Sequence, residues 1–237
     1  MLAENIAVTS RQLKQTLKQL LAQDDFNACL ESIRQLPPRR VIGPLFSFFF
    51  AQDELVKWRS ITATGVVVSD LANQDMEAAR VIMRRLMWNL NDESGGIGWG
   101  SPEAMGEIMS RHERLADEFS CILISYIREG GNFVEHEMLQ RGVVWAIGRL
   151  AHVRPELCKD AVASLCPYLQ SRDPVLRGIT AWTAGALPSE AIKLRLEQLT
   201  KDRARIRLFF DGRLIERTVG QLAEDALLVQ REAYAET

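Results

Sequence analysis

Two ten-residue segments of this chain align at an offset of 37 positions. Leu139-Gln140-Arg141-Gly142-Val143-Val144-Trp145-Ala146-Ile147-Gly148 aligns without a gap on Leu176-Arg177-Gly178-Ile179-Thr180-Ala181-Trp182-Thr183-Ala184-Gly185. Trp145 meets Trp182, and Gly148 meets Gly185. A period of this length fits one antiparallel helix pair in a stacked-helix protein. One such pair cannot bury its apolar face alone, so a chain built this way folds by laying pair on pair. The small residues let neighbouring helices approach, and the tryptophan fills a wider gap. A third copy is read at Lys57 to Gly65, which has the same eight-residue step as Arg177 to Gly185. Gly65 to Gly148 is 83 residues, nine more than two periods of 37. That surplus is placed in the segment Asn91–Gly100, read as a loop inserted into the stack.

Helical periodicity dominates the rest of the chain. Leu13, Leu17, Leu20 and Leu21 share one face after an N-cap at Thr9 or Ser10. Phe26, Leu30 and Ile33 form a second stripe, stopped by Pro37-Pro38. A third helix is read over Arg39–Phe50, with Pro44 near its first turns. Asp53 caps a helix running through Val68, and Ala72–Leu90 reads as its antiparallel partner. Ser101-Pro102-Glu103 marks a helix start, with Ser101 as N-cap and Pro102 at the first position. A break is expected near Arg111, and Gly130-Gly131-Asn132 stops and restarts the chain. Further helices are expected to Leu150, from Pro155 to Leu169 with a kink at Pro167, from Asp173-Pro174 to Leu187, and from Pro188-Ser189-Glu190 to Leu199. Then the period changes. Arg205–Phe210 alternates, Asp211-Gly212 is a hairpin turn signal, and Leu214–Arg217 returns. This register pairs Leu208 with Ile215 and Arg207 with Glu216. Thr218 and Gln221 have capping-box spacing for a final helix to about Val229.

The segment Asp173-Pro174-Val175-Leu176-Arg177, followed by Ala181, Ala184 and Gly185, resembles the HEAT-like repeats of the phycobilin-lyase type. The resemblance covers roughly residues 55–90 and 132–200. It implies an all-α fold, a right-handed HEAT/armadillo-like superhelix. One solenoid domain over 1–237 is expected: N-terminal helices over 1–52, helix pairs over 53–200, and a hairpin with a capping helix over 201–237. The hairpin is expected to cover the open end of the last repeat, since solenoid ends need a polar cap.

Composition narrows the function classes. Lys+Arg is 29 and Asp+Glu is 31, a balance unlike that of a nucleic-acid coat. No run of 18 apolar residues occurs, and the first residues lack the order of a signal peptide, so a cytoplasmic protein without membrane contact is expected. Cys29, Cys121, Cys158 and Cys166 form no C-x-x-C pair and read as buried reduced thiols.

The candidate site is the glycine-rich segment and its flanks: Trp88, Asn91, Asp92, Glu93, Gly96, Gly98, Trp99 and Glu103. Glycines let a ligand approach the backbone, Trp99 offers a stacking face, and Asp92, Glu93, Glu103 and Glu107 gather negative charge. No Gly-Lys-Ser/Thr follows, and a helix precedes where a dinucleotide fingerprint needs a strand. His112, Glu113, Glu135, His136 and Glu137 lack zinc-site spacing, so no metal or cofactor is expected. No serine sits in a G-x-S-x-G elbow, and no catalytic residue is assigned. The expectation is a non-enzymatic scaffold that recognises a protein or peptide through its concave face and this loop. Two alternatives come with the resemblance. One is a lyase or chaperone acting on a bound cofactor. The other is a HEAT-like DNA glycosylase, for which Arg80, Arg84, Arg85 and the basic residues around the hairpin are the relevant charges, although the paired Trp/Asp signature of those enzymes is missing.

Overall fold

The computed structural model describes residues 9–91 and 98–235. Three N-terminal helices come first: α1 (Ser10–Leu21), α2 (Phe26–Arg34) and α3 (Pro38–Ser47), the last followed by a 3-10 turn at Phe48–Phe50. The helix pairs follow as α4 (Glu54–Gln74), α5 (Met76–Leu90), α6 (Ser101–Arg111), α7 (Glu113–Ser125) and α8 (Glu137–Ala151). Residues 155–170 alternate between 3-10 turns and the short α9 (Val162–Leu165). Then come α10 (Pro174–Gly185), α11 (Glu190–Leu199), strands β1 (Arg205–Phe210) and β2 (Arg213–Thr218), and α12 (Val219–Ala235).

Caps explain most of these boundaries. Asp53, Asp75, Asp173 and Ser189 each accept backbone N–H groups at a helix start. Thr9 with Gln12 closes a capping box, as does Thr218 with Gln221. Asp75 ends one helix and starts the next, so the break between α4 and α5 falls there rather than before Ala72. At α6 the N-cap is Gly100, in the left-handed region at φ 78°, and Ser101 is already helical. His112 and His136 cap α7 and α8 through Nδ1, so these histidines serve as helix caps.

Helices α4, α6, α8, α10 and α12 stack side by side as an inner layer, backed by α5, α7, residues 155–170 and α11. Glycines set the spacing of the inner layer. A Cβ at Gly65 would stand 2.7 Å from Glu107 Cβ, one at Gly106 would stand 2.6 Å from Ala146 Cα, and one at Gly148 would stand 2.4 Å from Thr183 Oγ1. Gly185 faces Ala226 of α12 at 3.2 Å. This ladder corrects where the surplus falls. Gly65 to Gly106 is 41 residues and Gly106 to Gly148 is 42, so the nine extra residues are split between two connections instead of lying wholly in Asn91–Gly100. The α6 repeat lacks both signals that marked the other copies: Glu103 stands where Trp145 and Trp182 do, and Gly98 stands where Lys57 and Arg177 do.

The hairpin pairs in the expected register, Leu208 with Ile215 and Arg207 with Glu216. Its place differs from expectation. The inner layer ends on α12, while the hairpin folds back across the inner face, the concave side of such a stack. Phe209 stacks on Trp58 at 5.5 Å and 6° and meets Phe26 edge-on, and Phe210 meets Trp182 edge-on. Arg207 bridges to Glu54 at 2.7 Å, and Glu216 pairs with Arg205, so the expected Arg207–Glu216 ion pair is replaced. The cause is the location: a hairpin seated in a groove has partners on both faces, and Glu54 competes for Arg207. Among the cysteines, Cys29 and Cys158 are buried, but Cys121 is exposed on the outer side of α7, which corrects its assignment to the core. No helix among the described residues is long and apolar enough to cross a membrane.

Candidate functional site

One position recurs on the inner face. Three residues before each ladder glycine stand Thr62 (α4), Glu103 (α6), Trp145 (α8) and Trp182 (α10). The side chain at this position points toward the hairpin. Three of the four hold a buried polar atom that has no hydrogen-bond partner: Thr62 Oγ1, Glu103 Oε2 and Trp145 Nε1. Buried polar groups are nearly always paired, so three orphans in one stripe need an explanation.

The hairpin divides the space over this stripe into two cavities, with Trp145 lining both. The smaller has a volume of about 120 Å³. Glu103 lies in it with Trp58, Trp99, Trp145, Lys57 and Leu208 around it. Glu103 is 7% exposed, and its carboxyl rests against α8 at Gly142, where a Cβ would stand 2.8 Å from it. Burial pushes this carboxyl above its ordinary value near 4.5, and the Lys57 ammonium pulls only partly back. Trp58 and Trp145 lie 4.8 Å apart, so the cavity has an aromatic wall next to its carboxyl.

The larger cavity, about 480 Å³, lies on the other side of the hairpin. It holds Thr62, Glu107, Arg111, Arg149, Trp182, Phe26 and the hairpin tip. Glu107 Oε2 accepts from Arg111 Nε and Nη2 at 3.1 and 2.7 Å, and its Oε1 accepts from Arg149 Nε at 3.1 Å.

Of the residues expected to form the site, Trp99, Glu103 and the backbone at Gly100 meet in the smaller cavity. Gly98 is buried and supplies the carbonyl that accepts from Ser101 N–H, a structural role. Asn91 ends α5, and Trp88 is 72% exposed outside the cavity. Asp92, Glu93 and Gly96 lie outside the described residues. Trp58, Thr62, Lys57 and Arg149 were not anticipated. The signal for Thr62 was the glycine ladder, which places it in register with Trp145. The acidic residues fall in two separate environments, since Glu107 is neutralised by two arginines while Glu103 has no ion pair. Among the described residues no cluster of three or more His, Cys, Asp or Glu side chains could hold a metal ion. Of the basic residues considered for DNA, Arg80 pairs with Glu118, Arg84 with Glu77, Arg205 with Glu216 and Arg207 with Glu54.

Comparison with known proteins agrees with the stacked-helix fold. The family model of the HEAT-like repeat matches residues 137–185, the α8–α10 unit. A designed armadillo repeat protein in complex with the peptide (KR)4 is similar in structure, with a TM-score of 0.51 at 16% identity, over 92% of this chain and 99% of that one. The fold is that of a HEAT/armadillo-like repeat protein. An engineered protein of known structure superimposes equally, with a TM-score of 0.52 at 16% identity, over 92% of this chain and 96% of that one. At such identities the likeness is one of fold. An uncharacterised protein of Archaeoglobus fulgidus is 27% identical over 130 residues, which is 55% of this repeat protein and 60% of that relative.

Glu103 gives a pH-dependent stability. The unfolded carboxyl titrates near its ordinary value, while the folded one titrates higher. Its protonated form is therefore favoured by folding. Wild type loses stability relative to Glu103→Gln as pH rises from about 4.5 through the folded value, and the gap stays constant above it. Urea unfolding of both proteins between pH 4 and pH 8 tests this. Parallel curves with no widening gap would mean that the carboxyl is solvated in the folded protein.

Proposed function

We propose that this protein is a non-enzymatic binding module for an extended peptide or protein segment, and that it takes a basic side chain of that partner into the Glu103 cavity. The observation that carries this reading is the buried Glu103 carboxyl beside the tryptophan wall, whose Oε2 has no hydrogen-bond partner among the described residues. A carboxylate next to aromatic faces suits an ammonium or guanidinium group, by charge and by cation–π attraction. The volume of about 120 Å³ fits one side-chain head and is too small for an organic cofactor. The similar armadillo design was solved with a Lys-Arg peptide, which is consistent with this choice. In this reading Trp99 and Gly100 form the rim.

The test is a titration with an acetylated, amidated peptide of four Lys-Arg repeats, followed by tryptophan fluorescence and calorimetry. The control peptide replaces Lys by norleucine and Arg by citrulline. Wild type is expected to bind the basic peptide at least tenfold more tightly than the control. Glu103→Gln is expected to remove that preference, and Trp99→Ala to weaken binding by roughly 0.5–2 kcal/mol. A paired Asp92→Asn, Glu93→Gln variant measures the share of the adjoining segment. Equal binding of both peptides, or an unchanged preference in Glu103→Gln, would end this reading.

A further inference from the structure

The larger cavity has the opposite chemistry. Glu107 and Thr62 are 3% and 6% exposed, so they form its deep wall. Arg111 and Arg149 are each somewhat more than one quarter exposed at the side chain, so both reach the cavity space. Glu107 takes one N–H of Arg149 and two of Arg111. The two Nη groups of Arg149 have no protein acceptor among the described residues. Two guanidinium groups against one carboxylate leave one positive charge beside the cavity. Asp211 also lines it, but from the exposed hairpin tip, where water screens its carboxylate. Thr62 Oγ1 is orphaned and buried in the same wall and can donate or accept one hydrogen bond. Phe26, Trp145, Trp182, Phe209 and Phe210 supply aromatic wall, beside Asn27, Leu30 and Gly212.

We infer that this cavity is a binding site for a small organic monoanion, a carboxylate carried on a flat apolar body. The carboxylate would take the Nη donors of Arg149 and the remaining Nη of Arg111, with the Thr62 hydroxyl as a third donor. Arginine presents parallel N–H groups that match a carboxylate. The ring would lie between the Trp182 and Phe26 sides. A purely structural Glu107 triad would not need the surplus guanidinium, the orphaned hydroxyl or about 480 Å³ of space. That volume lies within the range of small-molecule sites. The single surplus charge favours a monoanion over a phosphate monoester, which carries close to two charges at neutral pH. This inference does not depend on the Glu103 reading, since the two cavities lie on opposite sides of the hairpin.

The test uses 2-naphthoate, with 2-naphthamide and 2-naphthyl phosphate beside it, titrated into the intact protein by calorimetry and by ligand-observed NMR. 2-Naphthoate is expected to bind at least tenfold more tightly than either comparison compound. Arg149→Gln is expected to lose at least tenfold, and Thr62→Val several-fold. Glu107→Gln frees both arginines and is expected to tighten naphthoate binding, a gain that a structural role would not produce. Should Glu107→Gln fail to fold, Arg149→Gln decides, since Arg111 still pairs with Glu107 in that variant. Equal binding of the amide would make the cavity merely apolar. Tighter binding of the phosphate would overturn the monoanion assignment, and absence of naphthoate binding at millimolar concentration would overturn the site.

Discussion

Arg59→Ala is expected to lower folding stability by about 3–5 kcal/mol, the sum expected when three buried backbone acceptors lose their donor. Arg59 is 5% exposed on α4, yet no carboxylate pairs with it among the described residues. Backbone carbonyls surround it instead. Its Nη1 donates to Leu21 O at 3.0 Å and to Gln23 O, and its Nε donates to Gly212 O at 3.2 Å. Its guanidinium also lies 5.0 Å from the Phe26 ring centroid. One side chain therefore ties the end of α1, the α1–α2 turn and the hairpin tip to the inner layer. Alanine would strand those carbonyls in a buried place, where each unsatisfied acceptor costs about 1–3 kcal/mol. The hairpin tip would lose its anchor, and both cavities would lose a wall. Chemical unfolding gives the energy, and limited proteolysis at Asp211–Arg213 reports the hairpin. Arg59→Lys should fall between the two, because an ammonium group cannot reproduce the planar fork. A loss below about 1 kcal/mol for Arg59→Ala would mean that water replaces the guanidinium at these carbonyls.

The importance of Arg59 was not legible in the sequence. An arginine in a helix usually reads as part of a solvated face, and its hydrogen-bond partners are 35 to 153 residues away. What was legible was local. Caps at Asp53, Asp173 and Ser189, the turn at Asp211-Gly212 and the Thr218–Gln221 box rest on residues within four positions of each other, and each is where the spacing placed it. The stacked-helix architecture followed from the offset between Gly148 and Gly185. The α6 repeat was hidden because it carries neither the tryptophan that marks α8 and α10 nor the basic residue eight positions before the glycine that marks α4 and α10. The path of the hairpin was hidden for a related reason. Alternation placed Ile206, Leu208 and Phe210 on one face, which suggests a hairpin with a single buried side. Phe209, on the other face, is 3% exposed because it enters the groove against Trp58. Of the candidate site, the rim (Trp99, Gly100) and the carboxyl (Glu103) were found by composition. Their wall comes from α4, α8 and β1, which no local pattern could connect to them.

Gly106→Val is expected to cost at least about 3 kcal/mol, at or beyond the upper end for overpacking. The reason lies in what the added atoms meet. A Cβ at Gly106 would stand 2.6 Å from Ala146 Cα and 2.8 Å from its carbonyl oxygen, and backbone cannot rotate aside as a long side chain can. Helices α6 and α8 would have to separate. Glu107 is the next residue and bridges to Arg149 on α8, and Glu103, one turn earlier, rests on Gly142 of α8. A separation at Gly106 would therefore loosen the walls of both cavities together, and naphthoate and the basic peptide should both bind more weakly to whatever remains folded. Gly43 supplies the opposite case within the same protein. It also sits inside a helix, α3, but a Cβ there meets nothing within 4 Å. Gly43→Ala should change stability by less than about 0.5 kcal/mol, because the gain in helix propensity is opposed by the contact of the new Cβ with the ring of Pro44. Urea unfolding of the two variants beside wild type compares a large loss with a small change from one residue type. If Gly106→Val were tolerated as well as Gly43→Ala, the close approach of α6 and α8 would not be what holds the inner layer in register.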